Sequence, residues 1–180
     1  MKLIAFAASS SRHSINKQLA THAAQVMQAD ISPDAEIEIL DLNNYEMPIY
    51  SIDREHDLGI PALARLFFDK IGSADALIVS FASHNGSYTA AYKNIFDWAS
   101  RIDTNVFQGK PIVMLSTSTG ASGAKSVLEN ACLSAPHFKA DLRGSLSVPS
   151  FHDNFDTEAQ SLKSGVFSDE LSVQLRKLLN

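Results

Sequence analysis

Residues Leu3–Ala8 form an unbroken apolar run that stops at Ser9. Beyond a polar turn, apolar positions return at Ile15, Leu19, Ala23 and Val26, three to four residues apart. The first pattern predicts a strand buried on both faces. The second predicts a helix over about residues 14–30, stopped by Ser32-Pro33-Asp34. Glu36–Leu42 alternates polar and apolar residues, as a sheet-edge strand does. Asn43–Ile60 has no clear period and is long for a connection, which points to a functional or partner-packing segment. Pro61 opens a helix running from Ala62 to about Ile71. Asp75–Phe81 is again nearly all apolar, followed by a loop at 82–87. A helix from about Thr89 to Arg101 follows, with Tyr92, Ile95, Phe96 and Ala99 on one side. The Gly109-Lys110-Pro111 turn leads to a strand at Ile112–Ser116, a small-residue loop at Thr117–Gly123 and a helix from about Ala124 to Ser134. A weaker strand at Leu142–Pro149, a loop at Phe151–Gly165 and a closing helix at Ser168–Leu179 complete the chain.

Strands and helices alternate throughout, which predicts a parallel sheet joined by right-handed crossovers. The expected architecture is α/β, a three-layer flavodoxin-like fold. It has a five-stranded parallel sheet of order 2-1-3-4-5, with helices on both faces, in a single domain over residues 1–180. Ligands of such sheets sit beyond the carboxyl ends of the strands, near the switch point between strands one and three. The polar loops after strands one, three and four all fall at that end.

The first of these loops carries Ser9, Ser10, Ser11 and Ser14 with one cation, Arg12, just before a helix. Free N–H groups and the helix dipole suit a phosphate there, and hydroxyls with a guanidinium strengthen the fit. The same residues also serve as cap and turn formers, Ser14 being a good N-cap. A phosphate loop beside two small-residue loops is what a mononucleotide with a flat ring requires.

Composition narrows the function. Hydrophobic residues make up 45% and charged residues 19% of 180, ordinary for a globular chain. The net charge of −5, without any Lys/Arg run, argues against nucleic acid. No apolar run reaches membrane-spanning length, so no membrane association is expected. A lone cysteine, Cys132, forms no disulfide framework and suits the cytoplasm; its neighbours Ala131 and Leu133 mark it as helix filler. The six histidines share no zinc spacing, and no hydrolase-type Gly-x-Ser-x-Gly elbow occurs. Neither a metal site nor a protein catalytic group is expected. Lys93 and Asp97 have the spacing of a surface ion pair.

Three stretches together resemble the NADPH-dependent FMN reductase family. They are Ser9-Ser10-Ser11-Arg12-His13-Ser14-Ile15-Asn16, then Asn85-Gly86-Ser87-Tyr88-Thr89 with Lys93–Trp98, then Ser116-Thr117-Ser118-Thr119-Gly120 with Gly123. The resemblance covers about residues 1–150. It implies that Ser9, Ser11, Arg12, Ser14 and Asn16 hold the FMN phosphate. It implies that Ser83, His84, Asn85 and Gly86 flank the isoalloxazine, and that Ser116, Ser118 and Gly120 line its other side. Four positions depart from the family pattern: Ala8 for a glycine, Ala82 and His84 for a proline and a tyrosine, and Thr119 for a proline. The implied activity is electron transfer from NADPH or NADH through FMN to a small-molecule acceptor such as a quinone, azo compound, free flavin or metal ion. The implied assembly is a homodimer or homotetramer, with Asn43–Ile60 and Tyr92–Trp98 as contact surfaces. The alternatives are a flavodoxin-type electron carrier without NAD(P)H activity and a flavin-free binding member of the fold.

Overall fold

The computed structural model describes residues 1–179. Five parallel strands form the sheet: β1 (Lys2–Ala8), β2 (Glu36–Leu40), β3 (Ala76–Phe81), β4 (Pro111–Thr117) and β5 (Asp141–Val148). Their order is β2-β1-β3-β4-β5, as expected. Successive side chains of β1 go to opposite faces. Ile4 and Phe6 join a core with Leu77 and Val79, packed by α3 (Ala62–Ser73), α4 (Ala90–Ile102) and α5 (Lys125–Ser134). Leu3 and Ala5 join a second core with Ile78, Val113 and Leu115, packed by α1 (Ile15–Val26) and α7 (Val166–Arg176). Every residue of β3 is buried, so the unbroken apolar run does mark a strand covered on both faces.

The structure departs from the sequence reading at four places in particular. β2 ends at Leu40 because the Asp41 side chain accepts a 2.9 Å hydrogen bond from Asn43 N and starts a 3₁₀ turn over Leu42–Tyr45. The aperiodic stretch contains a further helix, α2 (Ile52–Leu58), capped by Ser51, whose side chain accepts from Arg54 N at 3.2 Å. None of its residues is buried, so it carries no apolar period to detect. The 151–165 loop contains α6 (Phe151–Asn154) and a hairpin of β6 (Phe155–Asp156) and β7 (Ser161–Leu162), seated on the stacked rings of Phe151 and Phe155, 4.6 Å apart. α7 starts at Val166, two residues before the expected Ser168. The Ser168 hydroxyl instead folds back from the first turn to accept from Gly165 N at 3.0 Å.

The segment after the 3₁₀ turn is clamped to α4. Asn94 donates to the Met47 and Pro48 carbonyls and accepts from Tyr50 N at 2.8 Å, while Trp98 Nε1 donates to Pro48 O at 2.7 Å. Trp98 itself is fully buried. Of the apolar groups in this stretch, Tyr45 belongs to the chain's own core, whereas Ile49 and Ile52 are 73% and 64% exposed.

On α1, His22 sits edge-on to Phe155 at 5.9 Å, and burial lowers its pKa, with Asp30 opposing. The unfolded chain therefore binds the proton more tightly than the folded one. The resulting stability is fully present above the unfolded pKa and is lost as pH falls through that value toward the folded one. Denaturant melts between pH 8 and pH 5 are expected to show stability falling, and His22→Gln is expected to flatten that slope. An unchanged slope in the variant would assign the pH dependence elsewhere.

Candidate functional site

The carboxyl ends of β1, β3 and β4 lie side by side, with Ala8 paired to Phe81 and Phe81 to Ser116. The loops that follow them are held by buried polar side chains. Asn16 Oδ1 accepts from Ser80 Oγ at 2.8 Å and from Thr117 N at 3.0 Å, and its Nδ2 donates to Thr117 O at 3.0 Å. One amide on α1 thus ties together the ends of β3 and β4. Thr89 caps α4 by accepting from Tyr92 N and donates to Ala8 O at 2.9 Å, fastening α4 to the end of β1. Ser116 Oγ donates to Gly123 O at 2.7 Å, and Thr117 Oγ1 to Val148 O at 2.7 Å. Buried hydroxyls and amides need such partners, and these are paired within the fold.

The first loop is a tight cup. Ser9 Oγ accepts from Ser11 N at 3.2 Å, and Ser14 N donates to Ser11 O at 3.2 Å. Ser14, only 7% exposed, caps α1 by accepting from Lys17 N at 3.2 Å. The N–H groups of Ile15 and Asn16 open the same helix and have no carbonyl one turn back to bond. The Lys17 ammonium is held by Asp41, whose carboxyl it keeps below the usual carboxylate range. Arg12 is exposed and makes no ion pair among the described residues, so its guanidinium is the uncommitted cation of the loop.

After β3 the chain makes a two-residue hairpin. His84 N donates to Ser87 O at 2.9 Å and Ser87 N to His84 O at 3.1 Å, with Asn85 and Gly86 at φ +53° and +81°. Positive φ at both central positions is the turn that Asn-Gly favours. After β4, Gly123 at φ +58° lies against the end of β5. A Cβ there would come within 2.5 Å of Ser147 Oγ and 2.9 Å of the Pro149 nitrogen and Val148 carbonyl carbon. The serine can rotate but the backbone cannot. Gly123→Ala is expected to lose about 1–3 kcal/mol of stability, seen as a melting temperature lower by about 2–4 °C per kcal/mol. A full-height melt would show that the loop relaxes freely.

These loops enclose a polar cavity of about 280 Å³. It is lined by Ser9, Ser11, Ser14 and Asn16 from the first loop, Ser83 and His84 from the second and Ser118 from the third. Of the other expected residues, Arg12 lines an adjoining cavity with His13, Ser14 and Lys17. Asn85 and Gly86 form the hairpin tip, and Gly120 accepts from Ser150 N at 2.9 Å. Ser116 is fully buried beneath the loop, its hydroxyl directed to Gly123. His13, Ile15 and Thr117 also line the cavity without having been named as site residues, as do Ala82 and Thr119, named only as departures from the family pattern. All five lie inside the quoted stretches or directly beside Ser83, so loop adjacency was the available signal.

Residues 1–153 match the profile of the family described as NADPH-dependent FMN reductase. The chain is 36% identical over 136 residues to 2-hydroxy-1,4-benzoquinone reductase of a Burkholderia species, covering 73% of this chain and 70% of that protein. It is 36% identical over 93 residues to an NAD(P)H-dependent FMN reductase of Pseudomonas aeruginosa, covering 52% of this chain and 49% of that one. Among solved structures, FerB, a flavoenzyme NAD(P)H:(acceptor) oxidoreductase from Paracoccus denitrificans, superposes with a TM-score of 0.79 at 20% identity. The match covers 99% of this chain and 94% of FerB, and it bears out the fold. A serine-lined cup at a helix start, two further loops brought to the same cavity and this match over residues 1–153 agree: the chain belongs to the NADPH-dependent FMN reductase family.

Proposed function

We propose that the three-loop cavity is the FMN site of an NAD(P)H-dependent oxidoreductase, with the whole chain as one FMN-binding unit. The donor set fits the cofactor. The hydroxyls of Ser9, Ser11 and Ser14, the N–H groups of Ile15 and Asn16 and the free Arg12 guanidinium supply neutral donors and one positive charge for a phosphate dianion. Asn16 contributes its backbone there, while its side chain holds the strand ends. Ser83, His84, Asn85 and Gly86 flank the ring on one side. Ser118 and Gly120 flank it on the other, with Ser116 supporting them from below. FMN held there would supply the redox chemistry, taking up hydride from NADPH or NADH and passing the electrons to an acceptor. The chain's part is to bind, orient and leave a ring face open, and the small residues Gly86, Ser118 and Gly120 serve that purpose.

The observation that carries this reading is the convergence of all three loops on one cavity at the switch point of the sheet. The names of the relatives favour a quinone as acceptor. Mass spectrometry of the flavin released from purified protein tests the cofactor. FMN in stoichiometric amount is expected; stoichiometric FAD would overturn the assignment of a terminal-phosphate cup.

Among the described residues, no helix is long and apolar enough to cross a membrane. We place the protein in the cytoplasm, on its free Cys132 thiol and its nicotinamide donor. Self-association follows from Ile49, Ile52 and Leu58, the last 66% exposed, on one segment held rigidly to α4. Light scattering at micromolar concentration is expected to give a homodimer or homotetramer mass, and Ile49→Asp with Ile52→Asp to lower it. A monomer mass in the unmodified protein would contradict the reading.

A further inference from the structure

The residues lining the three-loop cavity include two groups that titrate near neutral pH, His13 and His84, and no carboxylate, lysine or arginine. The third loop lines it with Thr117, Ser118 and Thr119, and the second with Ala82 and Ser83 beside His84, all of them uncharged. Arg12 lines the adjoining cavity, and His13, next to it in the cup, lines that cavity too, at the phosphate end. His84 stands at the ring end. It opens the Asn85-Gly86 turn, and its backbone N–H and carbonyl are both paired with Ser87. Its exposed imidazole makes no hydrogen bond or ion pair among the described residues. The backbone is thus fixed and the ring uncommitted.

Hydride brings two electrons and one proton, so its arrival adds one negative charge to a cavity without a fixed cation. Histidine is the side chain that can answer such a charge by taking up a proton between about pH 5 and pH 8. The tyrosine of the family pattern at this position could not, because a phenol keeps its proton up to about pH 10.

We propose that His84 is the proton donor of the site. A ring nitrogen of His84 takes a proton from solvent as hydride enters and gives it to the acceptor as hydride leaves. For a quinone the balance closes. The nicotinamide C–H bond breaks, and its hydrogen departs with both electrons. That hydride carries two electrons and one proton to the quinone. The His84 N–H bond breaks, a quinone O–H bond forms with the second proton, and the product is the hydroquinone. This role rests on the cavity being the FMN site.

The test uses FMN-loaded wild type and His84→Gln, reduced with dithionite so that no nicotinamide is needed. The imidazole NMR signal missing from His84→Gln identifies His84. Its proton affinity is expected to rise about tenfold or more on reduction, the effect of an opposite charge a few ångströms away. Near neutral pH the midpoint potential of the flavin is expected to fall with pH more steeply in wild type than in His84→Gln. The difference should reach up to about 30 mV per pH unit, one proton in a two-electron couple. Reoxidation of His84→Gln by benzoquinone is expected to slow about a hundredfold relative to reoxidation by ferricyanide, which takes electrons and no proton. His84 titrating alike in both redox states, or equal slopes in the two proteins, would overturn the role while FMN binding stands. So would a slope lost in His13→Gln and kept in His84→Gln. A chain that binds no FMN would overturn the FMN reading itself, and the role with it.

Discussion

Replacing Arg12 by alanine is expected to weaken FMN binding roughly ten- to a hundredfold, the effect of losing one charge-assisted hydrogen bond of about 1.5–3 kcal/mol. The guanidinium is exposed and makes no ion pair among the described residues, so the flavin-free protein should melt at the wild-type temperature. Riboflavin lacks the phosphate and should bind Arg12→Ala and wild type alike. Ser14→Ala separates the two duties of the cup. Its hydroxyl caps α1 through Lys17 N and is only 7% exposed, so this variant should lose FMN affinity and also about 1 kcal/mol of stability. Titration of apo proteins with both flavins, beside melts of the flavin-free forms, gives all four comparisons. Equal FMN affinity in wild type and Arg12→Ala would reduce the loop to a cap and turn.

Asn16→Leu is expected to have the largest effect on stability. Its side chain makes three buried hydrogen bonds, and leucine leaves Ser80 Oγ and the Thr117 backbone groups without them. At about 1–3 kcal/mol for each buried group left unpaired, the loss should reach about 3 kcal/mol or more. A chain of this size should then melt about 6–12 °C lower. The flavin readout differs from that of Arg12→Ala. Untying the ends of β3 and β4 disturbs the ring loops as well as the cup, so FMN and riboflavin affinities should fall together. A variant that melts normally and loses FMN alone would make Asn16 a phosphate ligand through its side chain.

The sheet was legible because β1, β3 and β4 are short apolar runs closed by polar or glycine-containing loops and β2 alternates polar and apolar residues, and order alone places the switch point. Asn85-Gly86 was legible because that dipeptide tolerates positive φ twice. What stayed hidden depends on partners distant in sequence. The Asn16 side chain reads as one more polar group beside a phosphate, yet its partner Thr117 is 101 residues away. The Ser116 hydroxyl reads as a lining group, but the tight turn at Gly123 claims it. α2 buries nothing and so has no period, and strands of two residues, as in β6 and β7, are too short to show alternation. His13 and Thr119 reach the cavity through the path of the loop, which no spacing rule specifies.

The central claim is that this cavity holds FMN and that a nicotinamide reduces it there. Anaerobic stopped-flow mixing of the FMN-loaded protein with NADPH, and separately with NADH, tests it most directly. The flavin band is expected to bleach with at least one of the two and to return when a benzoquinone is added. An FMN-loaded protein whose band ignores both nicotinamides would contradict the account and leave an electron carrier of the flavodoxin type.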